Sequence, residues 1–339
     1  MKKKSSISGR LRVGMAGAGR ITDYHLLAWK GLKTADVVAI ADPLIERASD
    51  RSKEFDIPGV YDDVADMLAG ENLDILDIVS PNPFHAEHVR LAAEHHIDAL
   101  CQKPLTDTLA EAENLVSEVG GKIRLMVNES RRFRSDFRQI AAWLSEGRLG
   151  DVLQCQMIMN RSGYLPDKNG RRPAIDKSPA KATLKRLLIL GVLIHQLDVL
   201  RFLIGPLNVI AARATRTEAD LAGETLATIF METSNGAPVV LAGNFVAPGF
   251  GVTVSDRLEL IGSKASIILE PGNLRLLGPE ACTVAYDMKK EYQTCFSAAI
   301  AHFTECIRTG KPFESDPRDN LETLRLVEAA YKTASLDAV

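Results

Sequence analysis

The stretch Leu11-Arg12-Val13-Gly14-Met15-Ala16-Gly17-Ala18-Gly19-Arg20-Ile21 decides the fold. Leu11 to Ala16 reads as a short buried strand and Arg20 to Gly31 as a helix, so Gly17 and Gly19 sit where strand gives way to helix. Such a turn can hold a pyrophosphate. Gly17 permits the tight turn, Gly19 lets the backbone approach phosphates without a Cβ, and the amides of Arg20 and Ile21 open a helix whose positive dipole end favours an anion. Thr22 stands where a third glycine of the dinucleotide fingerprint would be.

The next apolar run, Val37 to Ala41, reads as a second strand and ends in Asp42, 23 positions after Gly19. A carboxylate at about that spacing binds the adenosine ribose hydroxyls. It would also repel the 2′-phosphate of NADP, so NAD is the expected cofactor, with Arg47 and Arg51 near enough in sequence to keep NADP as the lesser alternative. The competing reading of Asp42 is a turn residue before Pro43.

At 339 residues the chain suits two domains. Hydrophobic residues at 46%, charged residues at 25% and a net charge of −3 describe a globular chain without the basic excess of a nucleic-acid binder. No window approaches the ~20 apolar residues of a membrane span, and Met1-Lys2-Lys3-Lys4-Ser5-Ser6 leads into no apolar stretch that would make a signal peptide. A cytoplasmic protein with neither membrane nor nucleic-acid partner is expected. The five cysteines show no C-x-x-C, which points to no disulfide framework and no metal site. Cys101 reads as a small apolar filler at a strand end rather than a nucleophile.

Further apolar runs at 74–79, 97–101 and 123–127, with helical stretches between, predict a doubly wound parallel α/β sheet over residues 10–128. Ligands of such sheets bind outside the carboxyl ends of the strands, which places Asp42, Ser80-Pro81-Asn82-Pro83 and Gln102-Lys103-Pro104 along one crevice. Beyond Asn128 the rhythm changes. A helix over 135–146, strands over 152–159, 225–231, 239–245, 257–261 and 266–269, a helix from Leu187 to Gly205, and closing helices over 292–308 and 317–335 predict a mostly antiparallel sheet domain over 129–339.

The series Gly17-Ala18-Gly19-Arg20-Ile21, Asp42-Pro43, Ser80-Pro81-Asn82-Pro83-Phe84-His85, Gln102-Lys103-Pro104-Leu105 and His195-x-x-Asp198 resembles the glucose-fructose oxidoreductase, inositol dehydrogenase and rhizopine catabolism family across nearly the whole chain. The resemblance extends to Leu258-Glu259-Leu260-Ile261-Gly262-Ser263-Lys264 and Glu328-Ala329-Ala330-Tyr331-Lys332. It implies a Rossmann domain for NAD(P), an open-faced sheet domain that often buries its face in a homo-dimer or homo-tetramer, and hydride transfer at a carbinol carbon of a sugar or cyclic polyol. The family's motif lysine falls on Lys103 and its motif histidine on His195. A hydroxyl that loses hydride from its carbon must also lose its proton, so a base of pKa near ~7 such as His195 fits that task, while the Lys103 ammonium can hold the same oxygen. The cofactor would meet Gly17, Gly19, Arg20, Ile21, Asp42, Ser80, Asn82, His85, Gln102 and Lys103. Substrate would meet Lys103, Arg161, Tyr164, His195 and Gln196.

Two positions depart from the family pattern. Gln102 stands where an acidic residue commonly precedes the lysine, and Gly191 stands four positions before His195, where an aspartate or glutamate would share its helix face. The losses read as altered substrate contacts or tuning, with Asp198 anchoring structure and His85 either bordering the nicotinamide or lying on the surface at a helix start. The Arg- and Lys-rich segment from Arg161 to Arg186 covers the crevice or forms a solvated excursion. The expected function is an NAD-dependent dehydrogenase of an aldose, such as a branched pentose, or of a cyclic polyol. The alternatives are a non-catalytic NAD(P)-binding sensor and a family dehydrogenase of a non-sugar carbonyl or diol.

Overall fold

The computed structural model describes residues 9–253 and 255–334, so the readings of Met1–Ser6 and Ser335 lie outside it. The chain forms two units, Met1–Phe133 with Tyr292–Glu322, and Arg134–Glu291 with Thr323–Val339.

In the first unit, β1 (Leu11–Ala16), β2 (Ala35–Ala41), β3 (Gly59–Tyr61), β4 (Ile75–Ile78), β5 (Asp98–Gln102) and β6 (Leu125–Asn128) pair in parallel in the order β3-β2-β1-β4-β5-β6. Helices α1 (Thr22–Lys30), α2 (Ile45–Phe55), α3 (Val64–Gly70), α4 (His85–Glu94) and α5 (Leu109–Val119) provide the crossovers. The strands are buried on both faces, which is why they are apolar without alternation. Strand order reverses between β1 and β4, and there the loops after both strands open on the same edge.

A single cut near residue 128 does not describe this unit, because Tyr292–Glu322 returns to it. Helix α9 (Met288–Thr309) carries Ala299, Ile300, Phe303 and Cys306 on one stripe, and these share a buried cluster with Leu11, Val13, Met15, Trp29 and Phe313. A stripe of that spacing needs an apolar surface to cover, and the Rossmann sheet supplies it.

The second unit holds α6 (Ser135–Ser145), β7 (Val152–Asn160), α7 (Pro173–Asp176), α8 (Ile194–Ile204) and β8 to β14, closed by α10 (Pro317–Thr333) from Thr323 onward. The strands β8 (Leu207–Thr215), β9 (Leu226–Thr233), β10 (Pro238–Asn244), β11 (Ser255–Gly262), β12 (Ser266–Glu270), β13 (Asn273–Leu277) and β14 (Cys282–Ala285) lie in the order β14-β13-β12-β11-β7-β10-β9-β8. Among the described residues, only the β7–β10 pair of this sheet is parallel. One cross-strand row, Ile229, Leu241, Met157, Leu258, Leu269 and Leu274, is buried. The adjacent row, Ala211, Phe230, Val240, Gln156, Glu259, Ile268 and Arg275, is half-buried or exposed and mixes apolar with charged groups. That alternation is what a sheet covered on one face requires. Among the described residues, no helix is long and apolar enough to cross a membrane.

Candidate active site

The glycine turn has the shape its sequence implies. Gly17 adopts φ +111°, and a Cβ there would lie 2.8 Å from the Ser80 amide nitrogen, so any side chain would jam the turn against the loop after β4. A Cβ at Gly19 would meet nothing within 4 Å, which leaves open space over the start of α1. No side chain caps that start at Ile21, although the amides of Thr22 and Tyr24 already donate to the Gly19 and Ile21 carbonyls at 3.2 and 3.1 Å. Thr22 has a use of its own: its buried hydroxyl donates to the Gly17 carbonyl at 3.0 Å and braces the turn from inside. A turn that admits no Cβ at Gly17 and opens on a helix N-terminus fits the pyrophosphate of NAD.

Asp42 is buried at the end of β2, and its carboxylate accepts the amides of Ala18 (2.8 Å) and Leu44 (2.9 Å). It therefore ties the glycine turn to the second strand. An ionised carboxylate offers about four acceptor sites, so two remain for ribose hydroxyls. Asp42→Ala is expected to weaken NAD by about 10- to 100-fold, the value of a hydrogen bond to a charged group, and to weaken NADP less. Titration calorimetry with both cofactors checks this, and equal losses would assign Asp42 wholly to the turn.

Behind the β5 loop lies a buried polar chain. Gln102 and Asn128 both present amide NH2 groups to His25 Nε2, at 2.6 and 3.1 Å, so that nitrogen is the acceptor and the ring proton sits on Nδ1. Nδ1 donates to Asp77 at 2.7 Å, and Trp29 Nε1 donates to the same Asp77 oxygen at 2.6 Å. This gives Gln102 a physical reason: its amide is held in the buried chain that runs through His25 to Asp77. Beside it, burial pushes the Cys101 thiol well up, as befits an inert filler.

Lys103 follows β5, is half-buried, and precedes Pro104 in a cis peptide bond. Its loop is clasped to the loop after β4 by His85, which is buried rather than on the surface: Nδ1 lies 2.7 Å from the Pro104 carbonyl and Nε2 2.9 Å from that of Ser80. Burial pushes the His85 pKa down against those two carbonyls, which raise it. Ser80 Oγ meets His88 Nδ1 at 3.0 Å, and burial lowers His88 to about 4. Asn82 opens the short 3₁₀ turn Asn82–Phe84 that leads into α4.

In the second unit, the segment expected as one helix from Leu187 is a π-turn, Ile189–Leu193, followed by α8. Leu193 N donates five residues back, to Leu188 O at 2.9 Å. The buried carboxylate of Glu224 accepts the amides of Leu187 (3.1 Å), Leu188 (3.0 Å) and Ile189 (2.8 Å) and the Tyr331 hydroxyl (2.6 Å), fixing the lead-in to His195. Leu193 seats the turn on the sheet, since a Cβ at Gly243 would lie 2.8 Å from its Cδ2. A Cβ at Gly191 would meet only Arg186 O, at 3.8 Å, so packing leaves room for a side chain there.

His195 is half-buried in the first turn of α8. Gln196, by contrast, is buried and donates to Asp256 at 2.8 Å. Arg134 forks onto Asp136 (2.9 and 2.6 Å) and reaches Asp256 (2.6 Å), joining the start of α6 to β11 and, through Gln196, to α8. Burial opposes its charge, but Asp256 and Asp136 outweigh that and hold it firmly protonated. Asp198 is buried and accepts the Thr323 hydroxyl at 3.4 Å, an anchoring role.

The Arg/Lys-rich segment divides. Arg172 is committed to Glu218, Asp220 and the Tyr164 carbonyl, and Arg186 to Glu328 over the Tyr331 ring, whereas Lys168, Lys177 and Lys185 are exposed. Arg161 lies 3.9 Å over the Phe245 ring, on which the buried Tyr164 ring stacks at 4.4 Å. These two therefore form one rigid stack at the end of β7.

Residues 11–128 match the oxidoreductase family with an NAD-binding Rossmann fold, and residues 137–268 match the GFO/IDH/MocA C-terminal domain. The chain belongs to this family. A D-apiose dehydrogenase of Paraburkholderia graminis is 30% identical over 96% of this chain and 88% of its own length, and one of Rhizobium rhizogenes is 28% identical over 96% and 95%. An Agrobacterium radiobacter oxidoreductase solved with NAD+, L-tartaric acid and magnesium superposes with a TM-score of 0.88 at 27% identity, covering 96% of each chain. As a family member, the chain is an NAD-binding oxidoreductase.

The sequence reading did not single out His25, Asp77, Asn128 and Glu129. A signal existed for two of them. Asp77 interrupts the apolar run Ile75-Leu76-Asp77-Ile78, and an acid inside a doubly covered strand needs a partner. Glu129 follows the last residue of β6, on the edge that carries the other site loops.

Proposed function

We propose that the protein is an NAD-dependent dehydrogenase that takes hydride from a carbinol carbon of a sugar or polyol, with Lys103 and His195 as the working pair. The observation that carries this reading is the placement of Lys103 at the carboxyl end of β5, on the same sheet edge as the Gly17–Gly19 cradle and Asp42. Lys103 holds the reacting oxygen and stabilises the negative charge that develops there. His195 takes the hydroxyl proton as the carbonyl forms. NAD, when bound, supplies the nicotinamide C4 that accepts the hydride. Ser80, Asn82, His85 and Gln102 shape the loops on the cofactor side, and Arg161, Tyr164 and Gln196 give rigidity to the substrate side. The similarity to two D-apiose dehydrogenases favours a branched pentose, oxidised at its anomeric carbon. The mixed row led by Phe230 and Val240 suits burial against a second copy of this chain, and the expected setting is a cytoplasmic homo-oligomer.

The test is NADH formation across D-apiose, other aldoses, inositols and sugar acids, with NAD and NADP run in parallel. Turnover of one sugar or polyol with NAD supports the reading. Silence across the panel with tight NAD binding overturns it in favour of a sensor.

A further inference from the structure

In the parallel pair of β5 and β6, Gln102 stands opposite Asn128, so the residues that leave these strands side by side are Lys103 and Glu129. Glu129 is fully buried, although it is a carboxylate on the open edge of the sheet. A buried carboxylate is retained only where charge or hydrogen bonds compensate its desolvation. The charged groups that act on it are Lys103, Arg132 and Arg131, which attract, and Asp319, which repels; Lys103 is the strongest of them. Arg132 also donates to the Glu314 carbonyl (2.6 Å) and pairs with Asp319 (2.7 Å). Gln102 cannot serve as a counter-charge, because its side chain is a neutral amide, and that amide is engaged with His25.

We propose that Glu129 is the positioning carboxylate of Lys103, holding its ammonium at the carboxyl edge of the sheet and supplying the counter-charge that Gln102 does not. The role rests on Lys103 acting in the reaction as set out above. Burial pushes the Glu129 carboxyl up to about 7, against the pull of Lys103, Arg132 and Arg131. The pair therefore loses its negative partner as pH falls through the raised titration of this carboxyl.

The test reads Lys103 itself and needs no turnover. The full chain is treated with acetic anhydride at a series of pH values, and acetylation of Lys103 is followed by peptide mass spectrometry against the exposed Lys168 as internal standard. A neighbouring carboxylate favours the unreactive ammonium, and one unit of pKa is about tenfold in free amine. Glu129→Gln is therefore expected to speed Lys103 labelling about tenfold above pH 7, and Glu129→Asp to restore slow labelling. Labelling of Lys103 in Glu129→Gln within twofold of wild type would overturn the pairing. If the glutamine variant does not fold, the wild-type profile decides. A fall in the Lys103-to-Lys168 ratio as pH rises through the titration of the carboxyl supports the pair, and a constant ratio refutes it. In steady state, Glu129→Gln is expected to lower kcat while leaving the KM for NAD nearly unchanged. A protein that shows the labelling pattern but oxidises no sugar would refute the dehydrogenase reading and keep the ion pair.

Discussion

Lys103→Ala is expected to lower kcat by roughly 10²- to 10⁴-fold, the usual worth of a positioned acid–base or charge-stabilising group, while NAD affinity stays within a few-fold. The separation follows from where the binding groups lie. The glycine turn, braced by Thr22 and tied to β2 by Asp42, holds its shape through bonds in which Lys103 takes no part. Truncating the lysine removes an interaction that strengthens as the oxygen gains charge, so kcat and kcat/KM fall together. Steady-state kinetics beside titration calorimetry measures both. A large loss of NAD affinity with turnover preserved would move Lys103 from the reaction to cofactor binding.

Arg134→Met is expected to destabilise the second unit by roughly 3–5 kcal/mol, because it leaves Asp136 and Asp256 buried without their cation. The melting temperature should drop on the order of 10 °C. Calorimetric unfolding tests this; a variant destabilised by less than about 1 kcal/mol would place the cluster with surface ion pairs. Gln196 donates to Asp256 and adjoins His195, so the same variant should disturb the start of α8 and lower kcat.

The Rossmann sheet was legible because its strands announce themselves: runs covered on both faces are apolar throughout, and the loops after them carry glycine, aspartate and lysine. The strand β3 was too short to register, and β8 is alanine-rich and reads as readily as helix. The return of Tyr292–Glu322 to the first unit depends on which surface accepts the α9 stripe, which a helical period alone does not specify. At the site, the glycine turn and the strand-end positions of Asp42 and Lys103 were readable from local pattern. The support beneath them was not, since His25 and Asp77 meet across 52 residues and Glu224 caps a turn 35 to 37 residues upstream. The π-turn before His195 also has no local signature, because its widened hydrogen bond is stabilised from outside by Glu224 and Tyr331.

The most direct test of hydride transfer from a carbinol carbon uses a sugar that NAD turnover has identified, prepared with deuterium on the carbon to be oxidised. Mass spectrometry of the reduced cofactor is expected to show one deuterium per NADH, with slower turnover than the protiated sugar. Reduced cofactor free of deuterium, or sugar consumed without any reduced cofactor, would contradict it.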